Sequence, residues 1–172
     1  MWHKYGLKMT INKGFTLIEL MITVAIMSIM SIMLAIGLPS FQSIIASSRL
    51  TSSANAMVSA LQLARAEALK QHKTVVIRKK DDDWAKGWEV FVDDLIENKT
   101  FDPGETVLVI SSSDAISPTM TVVATYSNYV SYGANGRINI GGHFTFCSGS
   151  DYRSVVIAAT GRVRVEIPSS CS

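Results

Sequence analysis

Histidine and cysteine are scarce in this chain: its 172 residues include three of the first and two of the second. His143 lies close to Cys147, but no carboxylate-supported ligand set occurs at a familiar zinc spacing. P-loop, HExxH and nucleophile-elbow patterns are missing as well, and Ser148-Gly149-Ser150 reads as a turn rather than a serine site. These absences argue against an enzyme and against a metal or organic cofactor. There is no internal repeat and no low-complexity linker. Charge is missing over a long stretch: from Phe15 to Leu38 the one charged side chain is Glu19.

That uncharged run is what the chain has in place of catalytic motifs. As helix, its twenty-four residues would reach about 36 Å, enough to cross the hydrocarbon core of a bilayer. A carboxylate near the start of such a segment is costly in lipid and needs a partner or a task. An ordinary signal peptide ends its apolar region in small residues before the cleavage site. Here the order is reversed: the polar, basic stretch Met1–Gly14 comes first, and the apolar segment follows Gly14-Phe15.

The run Lys13-Gly14-Phe15-Thr16-Leu17-Ile18-Glu19-Leu20 closely resembles the prepilin leader of type IV pilins and type II secretion pseudopilins. The resemblance implies that a prepilin peptidase cuts between Gly14 and Phe15 and that the new N-terminal Phe15 is methylated. Glu19 would become the fifth mature residue, its carboxylate pairing with the N-terminal amine of a neighbouring subunit. A plain membrane anchor with an incidental glutamate is the competing reading. Loss of Lys4, Lys8 and Lys13 with the leader turns the formal charge from +2 to −1. Any basic function must therefore come from local placement of charge. The same lysines orient the N-terminus towards the cytoplasm, so a single-pass protein of the bacterial inner membrane would carry its domain outside. Cys147 and Cys171 would then sit where a disulfide persists, with one bridge closing the last loop; free or metal-binding thiols are the alternative.

Past Pro39 the helix is expected to continue as an amphipathic half. Ile44, Ile45, Leu50, Ala54, Met57, Val58, Leu61, Ala64 and Ala68 recur at helical spacing. Gly37-Leu38-Pro39 marks a kink or weak point, and the helix should fade near Lys70-Gln71-His72. Eight short runs then read as strands: Thr74–Arg78, Trp88–Val92, Val107–Ile110, Met120–Thr125, Asn128–Tyr132, His143–Cys147, Ser154–Ala158 and Val163–Ile167. Asp81-Asp82-Asp83 reads as a solvated hairpin tip; a cation loop would need spaced ligands and a later glutamate. Trp84 and Trp88 should flank or cover that turn, with Trp88 the better core candidate. The expected fold is α+β, a long N-terminal helix packed on a small β-rich domain. Its divisions are a leader over 1–14, a membrane and assembly helix over 15–38, its continuation over 39–72, and a domain over 73–172.

Beyond the leader the chain resembles the minor pilin and pseudopilin H group (FimT/FimU-like, GspH-like). The cues are "LQLARAEALK" at Leu61–Lys70, a β-rich domain, and "ATGRVRV" at Ala159–Val165. Some FimT-type members carry a Gly-Arg-x-Arg motif implicated in binding DNA during natural transformation, and Gly161, Arg162, Val163 and Arg164 match it position for position. In a strand, Arg162 and Arg164 would project together while Val163 packs inward, and Gly161 would supply a positive-φ turn. Guanidinium forks suit phosphate oxygens, so such a pair would hold double-stranded DNA without reading its sequence. Arg137 and Arg153 would widen the patch if the sheet brings them alongside. Against this, Arg162 could pair with Glu166 or Asp151. Tyr126, Tyr129, Tyr132 and Tyr152 read first as packing residues, and Lys70, Lys73, Lys79 and Lys80 as solvated charge. The resemblance thus implies a minor type IV pilin, with other pilins, the inner membrane, the peptidase and DNA as partners. A type II secretion pseudopilin, or a purely structural pilus subunit, is the alternative.

Overall fold

The computed structural model describes residues 14–95, 98–111 and 120–171, apart from the side chains of 36–40. Residues 1–13 of the expected leader and the side chains of Gly37-Leu38-Pro39 thus lie outside the described residues. The chain divides into two compact units, Met1–Gln42 and Ser43–Ser172. One helix, α1 (Leu17–Gln71), supplies the first unit and opens the second.

In the first unit Thr16 caps the helix. The Glu19 N–H donates to Thr16 Oγ1 at 3.3 Å, and the Leu20 N–H donates to the Thr16 carbonyl at 3.2 Å. Thr16 and Glu19 have the spacing of a capping box, and Glu19 sits where the helix dipole favours an anion. Leu17–Ala35 is long and apolar enough to cross a membrane, and none of it is buried within the chain. Ser28 and Ser31 return their hydroxyls to the carbonyls of Val24 and Met27 at 2.8 and 2.7 Å. Those polar atoms are satisfied inside the helix, leaving small side chains that allow close approach of another helix.

In the second unit the stripe Leu50, Ala54, Met57, Leu61, Ala64 and Ala68 is buried, following the alternating three- and four-residue steps of one helix face. Ile44 and Ile45, expected on that face, are exposed, because the buried stripe begins only at Leu50. The helix ends at Gln71, where His72 takes a left-handed φ of 53°, the conformation that commonly terminates helices.

Eight strands follow: β1 (Thr74–Lys80), β2 (Asp83–Asp93), β3 (Thr106–Ile110), β4 (Thr121–Ala124), β5 (Tyr129–Tyr132), β6 (Gly142–Ser148), β7 (Asp151–Ile157) and β8 (Val163–Glu166). They form two antiparallel sheets, ordered β3-β2-β1-β5 and β4-β6-β7-β8. One apolar core joins the helix stripe to Val75, Ile77, Trp88, Val90 and Val92 of the first sheet. Phe144, Phe146, Val155 and Ile157 of the second sheet complete it. The fold is the expected α+β arrangement, and among the described residues each of the eight candidate runs overlaps a strand.

Two strands start three or more residues earlier than the periodicity indicated. β2 begins at Asp83 because Lys80 pairs with Asp83 across a two-residue turn. Asp81 and Asp82 both have positive φ, 48° and 60°, the turn whose twist matches a hairpin. The three-aspartate run is therefore a hairpin tip. Trp84 is buried along with Trp88: it packs edge-on against Phe144 of the other sheet at 4.7 Å, and its indole N–H donates to the Tyr126 carbonyl at 2.8 Å. Likewise β7 begins at Asp151, which pairs with Ser148 across Gly149-Ser150.

Candidate functional site

The site is built at the end of the second sheet, where β7 turns into β8. β8 is an edge strand, its Val163 and Val165 opposite Ile157 and Val155. Val163 packs against the core, while Arg162 and Arg164 on either side of it are exposed. The alternation expected of the motif is present. At about 3.4 Å of rise per residue the two arginine Cα atoms stand roughly 6.8 Å apart. Arg164 is paired with Glu166, Nε to Oε1 at 2.5 Å. Arg162 makes no ion pair among the described residues.

Gly161 closes the turn between the strands. Its φ is +81°, and an added Cβ would overlap the Gly136 carbonyl oxygen and stand 3.0 Å from a Tyr132 ring carbon. Both conformation and space demand glycine here. The Gly161 N–H donates to the Ala158 carbonyl at 2.8 Å, and the Ala158 N–H to the Arg162 carbonyl at 2.9 Å.

Behind this turn stands Arg65, on the helix. Its Nη1 donates to the Gly161 carbonyl and its Nη2 to the Thr160 carbonyl, each at 3.2 Å. The Tyr132 hydroxyl donates to the same Gly161 oxygen at 3.4 Å. Burial pushes the Tyr132 phenol well above its ordinary range, and the nearby Arg65 charge pulls it partly back. The Nε of Arg65 is buried without a hydrogen-bond partner among the described residues. Sequence reading missed Arg65; its one signal was a cation set between the core residues Ala64 and Ala68.

A second turn packs against the first. The Gly133 N–H donates to the Arg137 carbonyl at 3.0 Å, the Gly136 N–H to Gly133 at 2.8 Å, and the Ile138 N–H crosses to Ala159 at 3.4 Å. Gly136 is buried against Leu69 and Gly161, so Arg137, which is exposed, flanks the motif. Arg153 does not join it. In the pleat of β7 it shares a face with the buried Val155 and Ile157, the face opposite that of Arg164. Its Nη1 donates to the Tyr152 carbonyl at 2.7 Å.

The remaining candidates divide plainly. Tyr132 is buried, Tyr126 donates to the Ile140 carbonyl at 3.0 Å, and Tyr129 is partly exposed. Burial raises the Tyr126 phenol to about 12. In the other basic region Lys70 pairs with Glu67 at 3.1 Å, Lys73 with Asp94 at 2.7 Å and Lys79 with Asp82 at 3.9 Å, while Lys80 makes no ion pair among the described residues. Cys147 and Cys171 form a disulfide across 24 residues, tying the tail beyond β8 back to β6. Gly14, Phe15 and Glu19 lie on the exposed start of the first unit. No group of three or more histidine, cysteine or acidic side chains could hold a metal ion among the described residues.

Residues 53–161 match the family profile described as type II transport protein GspH, and residues 9–35 match the prokaryotic N-terminal methylation motif. No curated protein matches the chain. Two crystal structures of the type IV minor pilin FimU from Pseudomonas aeruginosa (strain PAO1), in space groups P21 and P65, are similar at 25% identity. They align with TM-scores of 0.57 and 0.56, covering 72% of this chain and 95% and 100% of theirs.

Proposed function

The chain belongs to the GspH family, which unites type II pseudopilins with type IV minor pilins, and from that premise we propose that it is a minor type IV pilin whose outer domain holds double-stranded DNA. The family is structural rather than catalytic. The protein is a single-pass protein of the inner membrane, with its N-terminal helix in the bilayer and its domain on the extracytoplasmic side.

The match to the methylation motif over residues 9–35 supports processing by a prepilin peptidase between Gly14 and Phe15, with methylation of Phe15. Glu19, in the first turn of a helix whose described apolar residues from Leu17 to Ala35 are exposed, would neutralise the amine of a neighbouring N-terminus. Ser28 and Ser31 would let helices of other pilins approach closely. The subunit then enters or initiates the pilus.

The observation that carries the DNA reading is the Gly161 turn. It offers Arg162 and Arg164 on one exposed face with the Arg137 turn packed beside them. Three guanidinium groups so placed suit successive phosphates and read no bases. With about three phosphates neutralised, log K should fall with log salt at a slope near −2.7, roughly a fortyfold loss between 50 and 200 mM.

Titration of a soluble fragment starting at Ser43 with a short DNA duplex, at several salt concentrations, tests this. The Arg162→Gln/Arg164→Gln variant should bind more weakly, with the slope reduced in magnitude by about 1.8. Absence of binding by the parent fragment would favour the second reading, a pseudopilin of a type II secretion system, which the description of the matching family profile supports.

A further inference from the structure

The peptide group joining Gly161 to Arg162 is held by its oxygen. Arg65 Nη1 and the Tyr132 hydroxyl both donate to that oxygen, at 3.2 and 3.4 Å, and Arg65 Nη2 fixes the preceding carbonyl. The neighbouring amides are used within the turn, Gly161 donating to Ala158 and Ala158 to Arg162. The Arg162 N–H itself has no acceptor among the described residues. No peptide bond is cis among the described residues, and in a trans peptide the N–H points opposite to the C=O. The free N–H is therefore directed away from Arg65, at an exposed residue. A cation on the carbonyl end draws electron density through the amide and strengthens its N–H as a donor to an anion. The buried, unpartnered Nε of Arg65 shows that this guanidinium is held against the turn without satisfying all its own donors.

We propose that the backbone N–H of Arg162 donates to a phosphate oxygen of bound DNA, and that Arg65 is the positioning residue that fixes and polarises this peptide without touching the phosphate. The proposal rests on the DNA reading above. It makes the grip three-part: the Arg162 side chain and amide close on one phosphate, while Arg164 and Arg137 hold its neighbours.

The test is amide NMR on the full chain in non-ionic detergent micelles, titrated with a short blunt-ended DNA duplex and separately with inorganic phosphate. The Arg162 amide proton should move downfield with duplex, along the same saturation curve as binding. In Arg65→Gln, with core amides such as Val155 and Ile77 unmoved, that shift should vanish and affinity should fall about tenfold, as for one charge-assisted hydrogen bond. The salt slope should stay at the parent value, because Arg65 releases no counterion, and Arg65→Lys should restore part of the affinity. A slope reduced by about 0.9 in Arg65→Gln would make Arg65 a direct phosphate contact and overturn the positioning role. If Arg65→Gln does not fold, the parent titration decides alone: DNA binding with an unmoved Arg162 amide overturns the proposal and leaves the DNA reading standing. A parent that binds no DNA overturns both.

Discussion

At the scale of single residues, the motif depends on a glycine that nothing else can replace and on a glutamate that works against it. Gly161 combines φ +81° with contact to the Gly136 carbonyl. Gly161→Ala should therefore lower the unfolding free energy by about 2–4 kcal/mol, adding a left-handed-backbone penalty to a steric one. Urea denaturation of the domain would measure it. Glu166 accepts from Arg164 on an exposed surface, where such a pair contributes little to stability. Under the proposed DNA reading its larger effect would be on the polyanionic ligand, since it occupies one guanidinium and would repel phosphate. Glu166→Gln should leave the melting temperature within a few degrees and tighten duplex binding about three- to tenfold, by removing one like charge and freeing Arg164. Unchanged affinity in a fluorescence-anisotropy titration would remove Arg164 from the interface. Of the cations named from sequence, Arg162 and Arg164 are exposed on either side of Val163, Arg137 follows the Gly136 turn that packs on Gly161, and Arg153 is turned to the other face. The sequence marked Arg65 only as a cation among core residues and could not show its partners, because Thr160 and Gly161 lie 95 and 96 residues away.

Among the elements, turns were more legible than strand beginnings. The eight strand positions followed from alternating apolar residues and turn-forming clusters, which act locally. The starts of β2 and β7 did not, because hairpin pairing extends a strand through residues whose own pattern is polar, as at Asp83 and Asp151. The β1–β2 turn places both Asp81 and Asp82 at positive φ, a conformation better served by Asn-Gly. Replacing Asp81→Asn together with Asp82→Gly should stabilise the domain by about 0.5–1 kcal/mol. A rise in the denaturation midpoint at an unchanged m-value would bear this out. The helix shows the opposite limit: its apolar spacing identified the face, but only the sheets decide where burial starts, so Leu50 is buried while Ile44 is exposed.

For the molecule as a whole, the second unit contains the entire described core, while the described apolar residues of the Leu17–Ala35 segment in the first are exposed. That division suits a protein whose N-terminal helix is finished by lipid or by other subunits and whose domain folds on its own residues. The Cys147–Cys171 bridge is the one covalent tie on the tail following β8. Closing a loop across 24 residues is worth roughly 3 kcal/mol on the chain-entropy account. Cys171→Ser should release one free thiol at Cys147, which a thiol titration would count, and lower stability by about that amount. Because neither cysteine lies in the Gly161–Arg164 segment, DNA binding should persist in the folded variant at low temperature.

The sequence by itself determined the membrane-spanning segment, the helix register, the hairpin tip at Asp81-Asp82 and the single possible pairing of two cysteines. Each follows from contiguous residues or from simple arithmetic, because hydrophobic length, periodicity and turn chemistry act over a few positions. Only the tertiary structure decided which cations share a surface. The β4-β6-β7-β8 order places Arg164 on an open edge, the pleat turns Arg153 away, the packing of Gly136 on Gly161 brings Arg137 in, and the helix sets Arg65 behind the carbonyls. Those neighbourhoods arise from sheet order and close backbone contact across most of the domain, which no local pattern encodes.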